Sequence, residues 1–425
     1  MNKLFILTIL FLSHTASAQW IMSTGTASYE HIQQGNPNPV LVNMPDSADV
    51  LEVCYTSTSV YVRTNNLAGY QMGPWSNPNV PLAQPSIYEL PRYPQEKIGT
   101  KSATPSGGPV AITVNGVKVF GYGDAKSYSS SSNGNVGNGD GNWFSDAWVS
   151  EGATLDATGL GHANNGGNYH YHATPIALYS TTNTGHSPII GFAFDGYPIY
   201  GPFGYSDAMN SNSSVVRMNS SYQLRNITQR TVLPNGQQSV PAGPAVTTNG
   251  NFDLGTYIQD YEYVNNLGHL DEYNGRLCVT PEYPSGIYAY FVTTKSNGDP
   301  AFPYMLAAEY YGVVDNNHLG PNLGNATIPA GANCGTISNI TALQQPETLT
   351  LYPNPTDGTI NLELEAPGNH TIQLINILGS TVYNTTQYLD YNHSMNLKDF
   401  NKGIYTLILT HQRTGKSFSN KVVLR

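Results

Sequence analysis

Short runs in which apolar and polar residues alternate, separated by glycine, proline and asparagine, make up most of the chain. Between residues 19 and 313 they include residues 50–55, 59–63, 110–114 and 287–294. These runs are rich in Val, Ile, Thr and Tyr, which suit a pleated and half-buried surface, and turn residues bound each one. No long segment has the 3.6-residue apolar period of a helix. The pattern predicts a mainly β protein, with a sandwich- or barrel-like arrangement of strands in its larger part.

The alternation is cleanest in residues 347–425. Residues 359–364 alternate strictly, and so do residues 404–409. This segment is predicted to be a small, separate β-sandwich with an immunoglobulin-like arrangement. Residues 314–346 precede it with Gly, Pro, Asn and Thr and almost no charge, so they are predicted to be a linker.

The run Tyr-His-Tyr-His at residues 169–172 carries the strongest chemical signal in the sequence. Side chains alternate between the two faces of a strand, so His170 and His172 are predicted to share one face and the two tyrosines the other. Two imidazoles on one face are a frequent arrangement in metal sites, because both rings can direct a nitrogen towards one cation. The run therefore marks a candidate metal-binding strand.

A second copy of this run lacks the imidazoles. Residues 286–294 repeat the glycine, both tyrosines and the following threonine, with Ala289 and Phe291 in the histidine positions. The strand can therefore be built without histidine, which makes the tyrosines structural and the histidines an addition. A Leu-Asp pair precedes each copy, at 155–156 and 270–271, which suggests that a strand-loop-strand unit was duplicated.

Composition narrows the function classes. Charged residues make up only 11% of the chain and the net charge is −10, so the basic patches on which nucleic-acid binding relies are not expected. Tyrosine outnumbers phenylalanine by 30 to 12, which favours rings that pack while their hydroxyls form hydrogen bonds. With 39% apolar residues the chain can bury a core, so we expect a folded protein.

The N-terminus has the pattern of a secretory signal peptide. A basic Lys3, an apolar run at 4–12 and a small-residue end at 13–18 predict cleavage after Ala18. Neither this run nor a later one is long enough for a transmembrane helix, so we expect an exported protein without a membrane span. The predicted organisation is a signal peptide at 1–18, a large domain at 19–313, a linker at 314–346 and a C-terminal domain at 347–425.

Export into an oxidising compartment permits a disulfide. The chain has three cysteines, Cys54, Cys278 and Cys334. We expect one disulfide and one remaining thiol, and three cysteines do not fix the pairing.

Three motifs of the last domain occur in a fixed order. Residues 351–358 read Leu-Tyr-Pro-Asn-Pro-Thr-Asp-Gly, residues 401–405 read Asn-Lys-Gly-Ile-Tyr and residues 421–425 read Lys-Val-Val-Leu-Arg. On these motifs the segment closely resembles the type A C-terminal sorting domain of the type IX secretion system of Bacteroidetes. The resemblance implies the type IX secretion machinery as a partner and export through the outer membrane. It also implies removal of the tail, with release of the protein or its attachment to the cell surface.

A second resemblance rests on motifs of the large domain. They are Gly161-His162, residues 169–172 with the trailing Pro175, residues 194–201 (Phe-Asp-Gly-Tyr-Pro-Ile-Tyr-Gly), and residues 270–276 with Tyr290. On these motifs the segment at about 100–313 resembles the YHYH-domain family, named for the run at 169–172. The resemblance implies the identity of the domain and carries no activity with it.

Further candidate ligands for a metal ion lie close to this run. The full set is His170, His172 and His162, completed by Asp156 or Asp195. Imidazole with carboxylate suits Zn²⁺, Cu²⁺, Mn²⁺ or Fe²⁺, and the sequence does not select among these divalent ions. An open coordination position would generate a hydroxide nucleophile for a metal-dependent hydrolase, with His186 or His269 as acid or base. In a closed site the ion would only stabilise the fold.

These residues also have structural explanations. A His-x-His pair can belong to a polar core, with its rings hydrogen-bonded to carbonyls and tyrosine hydroxyls, or it can serve acid–base catalysis without a metal. Asp195 lies in Asp-Gly-Tyr-Pro, which is typical of a turn. Arg276 either clamps a carboxylate or phosphate ligand or pairs with Asp271 or Glu282.

The competing function is a non-catalytic surface module that binds a glycan, another polymer or a small molecule through exposed aromatic faces. The candidate faces are those of Trp75, Trp143 and Trp148. The two hypotheses differ in the effect of replacing His170 and His172. The first predicts loss of the metal ion, and the second predicts unchanged ligand binding.

Overall fold

The computed structural model of the chain describes residues 20–32, 38–315, 323–335, 350–364, 368–376, 380–389, 392–411 and 417–425. The predicted signal peptide at 1–18 lies outside the described residues, as do parts of the predicted linker. The chain divides into two compact units, Met1–Ile340 and Thr341–Arg425. Both are built mainly of strands, which confirms the predicted mainly β fold class.

The strands of the first unit are short. In chain order they are β1 (Thr26–Ile32), β2 (Pro39–Ser47), β3 (Val50–Tyr55), β4 (Ser59–Thr64), β5 (Ser86–Pro91), β6 (Ser102–Ala103), β7 (Pro109–Thr113), β8 (Lys118–Phe120), β9 (Gly123–Ser129), β10 (Gly134–Gly137), β11 (Phe144–Asp146), β12 (Gly161–Ala163), β13 (Tyr169–Tyr171), β14 (Ile189–Ala193), β15 (Pro198–Tyr200), β16 (Phe203–Tyr205), β17 (Val215–Arg217), β18 (Tyr222–Leu224), β19 (Tyr261–Tyr263), β20 (Gly275–Cys278), β21 (Ile287–Phe291), β22 (Glu309–Tyr310) and β23 (Asn333–Gly335). The helix α1 (Ala147–Glu151) and 3₁₀ turns at Gly152–Thr154, Ile176–Leu178 and Ile258–Asp260 lie between them. Among the described residues, no helix has the length and apolar character needed to cross a bilayer.

The largest sheet has eight strands in the order β12-β13-β8-β7-β14-β15-β21-β20. Its two halves are built alike. On each side of the central β7–β14 pair lies the second strand of a hairpin, then a strand parallel to it, then an antiparallel edge strand. The sheet is therefore a twofold repeat, read outward from its centre. Smaller sheets pair β1 with β2, β9 with β10 and β11, β16 with β17, β18 with β19, and β6 with β22.

The hairpins of the two halves have the same register. Ala111 pairs with Val119 in the first hairpin, and Gly191 pairs with Ile199 in the second. Both ladders are irregular at the step just before these pairs. A shared irregularity at the same step is a specific feature of backbone geometry, and it supports the duplication suggested by the sequence.

The outer strands also correspond residue by residue. His162 on β12 pairs with His170 on β13, and Arg276 on β20 pairs with Ala289 on β21. The two strand pairs are therefore equivalent, and they differ in the side chains that they carry at these positions.

A glycine begins each edge strand because a tyrosine ring lies directly over it. A Cβ on Gly161 would lie 2.6 Å from the Tyr169 hydroxyl, and a Cβ on Gly275 would lie 2.3 Å from the Tyr288 hydroxyl. A side chain at either position would collide with the ring. The same close approach of a tyrosine ring to a glycine therefore occurs in both halves of the sheet.

A four-stranded sheet, β23-β3-β4-β5, joins the beginning and the end of the first unit. Cys334 on β23 lies opposite Cys54 on β3, and the two form a disulfide. Cys278 is buried and free, so the structure selects one of the pairings that the sequence left open. Residues 333–335 fall within the predicted linker at 314–346, yet strand pairing and the disulfide make them part of the first unit.

Buried tyrosines are a prominent part of the interior of the first unit. Several are fully buried, including Tyr88, Tyr169, Tyr171, Tyr200 and Tyr290. A buried hydroxyl requires a hydrogen-bond partner, and buried aspartates supply several of them. Pairs of this kind are one reason for the excess of tyrosine over phenylalanine in the composition.

The described residues of the second unit form two sheets. Its strands are β24 (Thr350–Tyr352), β25 (Thr359–Glu363), β26 (Gly368–Asn376), β27 (Thr381–Leu389), β28 (Asn392–Asn396), β29 (Gly403–His411) and β30 (Ser417–Leu424). The sheets have the orders β24-β25-β28 and β27-β26-β29-β30. Ile360 and Leu362 from the first sheet share one core with Ile372, Leu374 and Leu407 from the second. The unit is a small β-sandwich, in which the predicted alternation separates core from surface.

Candidate metal centre

The tyrosines and histidines around β13 lie on opposite faces, as the alternation predicts. The Tyr169 hydroxyl donates to Asp156 Oδ2 at 2.5 Å, and the Tyr70 hydroxyl lies 2.9 Å from the hydroxyls of both Tyr169 and Tyr171. Asn115 Nδ2 donates to the Tyr171 hydroxyl at 3.1 Å. This face is a polar network that anchors the strand in the sheet.

The opposite face carries an imidazole cluster. His162 on β12 pairs with His170 on β13, and His172 follows the end of β13. All three residues are buried. Glu151, the last residue of α1, reaches the same place, and one ligand atom from each of the four residues lies within 4.8 Å of all the others.

Local contacts hold Glu151 in position. Asp146 caps the N-terminus of α1 by accepting from Val149 N at 3.0 Å, and it also accepts from the buried Tyr304 hydroxyl at 2.6 Å. After the helix ends, the Thr154 hydroxyl donates to the Glu151 carbonyl at 2.7 Å. Because the helix has only five residues, its own backbone hydrogen bonds stabilise it little. The cap, the contact with Tyr304 and the hydrogen bond from Thr154 therefore fix its orientation.

The four ligand atoms converge closely. His170 Nε2 lies 3.1 Å from His172 Nε2. Glu151 Oε2 lies 2.9 Å from His162 Nε2 and 3.4 Å from His172 Nε2. Ligand atoms bound to a tetrahedral ion at about 2.0–2.1 Å lie about 3.3 Å from one another, so these separations match such a shell.

The other nitrogen of each ring makes a second contact. His170 Nδ1 donates to the Asn168 carbonyl and His172 Nδ1 to the Gly121 carbonyl, each at 2.9 Å. His162 Nδ1 lies 2.9 Å from the Thr154 hydroxyl, whose proton is already donated to a carbonyl. A carbonyl accepts only, so the rings of His170 and His172 carry their protons on Nδ1 and present lone pairs at Nε2. Contacts of this kind orient metal-binding histidines.

Burial opposes protonation of two of the imidazoles, those of His170 and His172. Burial, together with the neighbouring His172 and His162, holds the pKa of His170 well below its usual value. Burial also lowers the pKa of His172, although Glu151 opposes the shift. Burial on its own would raise the pKa of Glu151, but the hydrogen bond with His162 outweighs this effect and keeps that pKa below its usual value. Neutral imidazoles and an ionised carboxylate are the protonation states in which these groups bind metals.

An aromatic wall and limited solvent access surround the cluster. The Phe120 ring lies 4.2 Å from the His170 ring and 5.6 Å from the His172 ring, between centroids. The side chain of Glu151 is 19% exposed, compared with 7% for His162 and 4% for His172. Solvent therefore reaches the cluster mainly at Glu151.

The structure does not bring Asp156 or Asp195 into this cluster. Asp156 lies on the tyrosine face of the sheet, where it accepts from Tyr169. Asp195 is fully buried in the other half of the sheet and accepts from the Tyr290 hydroxyl at 2.6 Å, while its Oδ1 accepts from Tyr197 N within the turn. Both aspartates therefore have the structural role that the sequence offered as the alternative for Asp195.

Glu151 is the candidate ligand that the sequence interpretation missed. The 3₁₀ turn at Gly152–Thr154 and a loop separate Glu151 from His162. No fixed spacing along the sequence identifies a ligand across such a connection. The only signal for Glu151 in the sequence was weak, namely its residue type and its position near the motif. Few acidic residues occur near the motif, and Glu151, Asp156 and Asp146 are the nearest ones upstream.

Other predicted candidates lie elsewhere. His186 lies beside Tyr200 and Phe291 in the second half of the sheet, and His269 Nδ1 accepts from Asn219 N. Trp75 and Trp143 are buried, and Trp148 packs against an aromatic cluster. The tryptophans proposed as an exposed binding platform therefore do not form one, because two of the three rings belong to the core.

Two family descriptions match the chain. The sequence model described as "YHYH protein" matches residues 87–302, and that described as "Secretion system C-terminal sorting domain" matches residues 350–425. Both resemblances noted in the sequence are thereby confirmed. No curated protein matches the chain.

Among solved structures, one match is to PorZ, described as an essential bacterial surface component of the type-IX secretion system of Porphyromonas gingivalis. The identity is 11% and the TM-score 0.16, over 92% of this chain and 62% of the PorZ chain. This chain therefore spans less than two thirds of that relative. At this TM-score the likeness supports no inference about shared architecture or activity.

Proposed function

The chain belongs to the YHYH protein family, and we propose that its YHYH domain binds one divalent transition-metal ion through His162, His170, His172 and Glu151. Its C-terminal sorting domain marks it for handling by the type IX secretion system, and the protein is exported to the cell surface or the extracellular space. An exported metal-binding protein is the function that the side-chain geometry supports best.

One observation carries the proposal. The Nε2 atoms of His170 and His172 lie 3.1 Å apart, and the Nδ1 protons of both rings are donated to backbone carbonyls. Two lone pairs therefore face each other at hydrogen-bond distance. The contact is repulsive unless a cation lies between the rings or one ring takes up a second proton, and burial opposes the charged ring.

The four proposed ligands limit which metal ions the site can bind and whether the bound ion can catalyse hydrolysis. Three imidazoles and one carboxylate suit Zn²⁺, Cu²⁺, Mn²⁺ and Fe²⁺. Four protein ligands fill a tetrahedral shell, so a Zn²⁺ ion bound by all four would leave no position for a nucleophilic water. A hydrolase would need an ion with five or six ligands, or release of Glu151, which is the most exposed of the four proposed ligands. Tight metal binding is thus the primary function proposed, and hydrolysis is conditional on it.

The second half of the sheet supplies the test variant. His170→Ala/His172→Phe copies Ala289 and Phe291 into the equivalent positions of the first half, where the chain itself shows that such a strand folds. The measurement is elemental analysis of the full chain, purified without chelators or metal-affinity columns. We expect near-stoichiometric metal in the wild type and none in the variant, with circular dichroism confirming that the variant is folded.

His269→Ala is the matched control, because it removes a histidine outside the cluster and should leave the metal content unchanged. Absence of metal from the wild type after dialysis against Zn²⁺, Cu²⁺, Mn²⁺ and Fe²⁺ in turn would overturn the proposal. Full metal content in the double variant would also overturn it.

A further inference from the structure

The second half of the sheet has its own group of polar side chains at the place that corresponds to the metal cluster. Arg276 takes the position of His162, and Phe291 takes the position of His172. The imidazole of His186, from the loop before β14, lies 6.1 Å from the Phe291 ring between centroids. A guanidinium and one imidazole thus replace three imidazoles.

His186 and Arg276 both contact Tyr205 and Phe291. The His186 ring lies 4.9 Å from the Tyr205 ring between centroids, and Arg276 Nη2 donates to the Tyr205 carbonyl at 2.5 Å. The guanidinium carbon of Arg276 lies 5.5 Å from the centre of the Phe291 ring. The His186 ring and the Arg276 guanidinium therefore both lie beside Tyr205 and Phe291.

One polar atom of each group is buried without a hydrogen-bond partner. These atoms are Nε2 of His186 and Nε of Arg276. His186 Nδ1 donates to the Ser187 carbonyl at 2.8 Å, which leaves the lone pair on Nε2. Buried polar atoms are nearly always satisfied in folded proteins, so two orphaned atoms on neighbouring groups indicate a missing partner.

The ion pairs expected from the sequence do not account for Arg276. Asp271 accepts instead from the Tyr288 hydroxyl at 2.9 Å and from Tyr273 N and Gly275 N. Glu282 Oε2 accepts from the Tyr200 hydroxyl at 2.9 Å. Burial, with the charge of Arg276, lowers the pKa of His186 to about 4, although the Ser187 carbonyl opposes the shift. The positive charge of Arg276 therefore acts on the His186 ring.

We propose that this second-half site binds a small oxyanion between Arg276 and His186. Arg276 Nε donates one hydrogen bond to the anion. His186 takes up a proton with the anion, so that Nε2 becomes the second donor, and the negative charge offsets the two adjacent cations. Arginine and protonated histidine are the donors that carboxylates and phosphates select. The inference is independent of the metal site, which lies in the other half of the sheet.

The test is calorimetric titration of the full chain with acetate, formate, phosphate and sulfate at constant ionic strength, with chloride as reference. We expect saturable binding of at least one oxyanion. Comparison of acetate and formate with phosphate and sulfate shows whether the site prefers carboxylates or inorganic tetrahedral anions. Nitrogen NMR of His186 should show Nε2 gaining a proton as the anion binds. Binding of no oxyanion, with the protonation of His186 unchanged, would overturn the proposal.

Two variants remove one donor each. Arg276→Lys keeps the charge and removes the Nε donor. His186→Asn keeps a donor for the Ser187 carbonyl and removes Nε2. Each should weaken oxyanion binding at least tenfold, while the metal content stays at the wild-type level. Arg225→Lys is the matched control, because Arg225 also donates to a backbone carbonyl, and it should bind as the wild type does. Unchanged binding in both site variants would refute the assignment.

Discussion

Asp156 accepts a 2.5 Å hydrogen bond from the hydroxyl of Tyr169, on the face of β13 that points away from His170. In the second half of the sheet, Asp271 accepts from the Tyr288 hydroxyl at 2.9 Å. The same acid–phenol pair thus supports both copies of the strand. Because only one copy carries the imidazoles, this pair belongs to the repeated fold and the histidines belong to a site added to it.

Replacing Tyr169 by phenylalanine should lower stability without removing metal. The variant removes the donor to Oδ2 of the buried Asp156, which costs about 1–3 kcal/mol in the free energy of unfolding. Urea denaturation followed by tryptophan fluorescence measures the cost, because all four tryptophans, Trp20, Trp75, Trp143 and Trp148, lie in the first unit. Tyr288→Phe should cost a similar amount. Loss of metal from a folded Tyr169→Phe protein would contradict the separation of the two faces.

Glu151→Gln should weaken metal binding, because the amide keeps the shape of the side chain and loses the charge that completes the ligand set. We expect the dissociation constant to rise at least tenfold, measured by competition with a chelator of known affinity. Asp156→Asn is the comparison, because Asp156 was one of the two carboxylates that the sequence suggested. Its folded fraction should retain wild-type affinity, and the opposite ranking of the two variants would rule out Glu151 as a ligand.

The carboxyl group of Asp195 should make stability depend on pH. Burial raises the pKa of Asp195 to about 6, despite hydrogen bonds from Tyr290, Gly312 N and Tyr197 N that lower it. The folded state therefore holds this proton more tightly than the unfolded chain does. The contribution of Asp195 to stability is fully present below a pH of about 4 and is lost as the pH rises through about 6.

Asp195→Asn isolates this contribution, because the other titrating groups are common to both proteins. Between about pH 4 and pH 7 the wild type should lose up to about 3 kcal/mol of unfolding free energy relative to the variant. The same tryptophan-detected urea titrations measure the difference. A pH-independent difference between the two proteins would show that Asp195 is ionised throughout this range.

Thiol counting should distinguish the three cysteines. Cys54 and Cys334 are joined, and Cys278 is buried. Burial raises the pKa of the Cys278 thiol to about 11, which slows its reaction further because the thiolate is the reactive form. The folded chain should not react with a thiol reagent, the unfolded chain should show a single thiol, and the unfolded and reduced chain should show all three cysteines. Reaction of Cys54 or Cys334 before reduction would disprove the pairing.

Much of the site follows from local rules. Alternation along one strand is enough to place His170 and His172 together and to separate them from Tyr169 and Tyr171, because the direction of a side chain in a strand depends only on its position. The second copy of the run identifies which residues are structural. The pairing of His162 with His170 does not follow from local rules, because strand register across a loop depends on tertiary contacts that cannot be read from the sequence.

The sequence by itself determined the β class, the strand that carries the imidazoles, the repeat and the two family memberships, because each depends on residues close together or in a fixed order. Tertiary structure decided the rest. It placed Glu151, rather than Asp156 or Asp195, beside the three histidines, joined Cys54 to Cys334, and buried two of the three tryptophans that had suggested a binding platform. These outcomes depend on which distant segments pack together, and packing is set by the whole fold rather than by spacing along the chain.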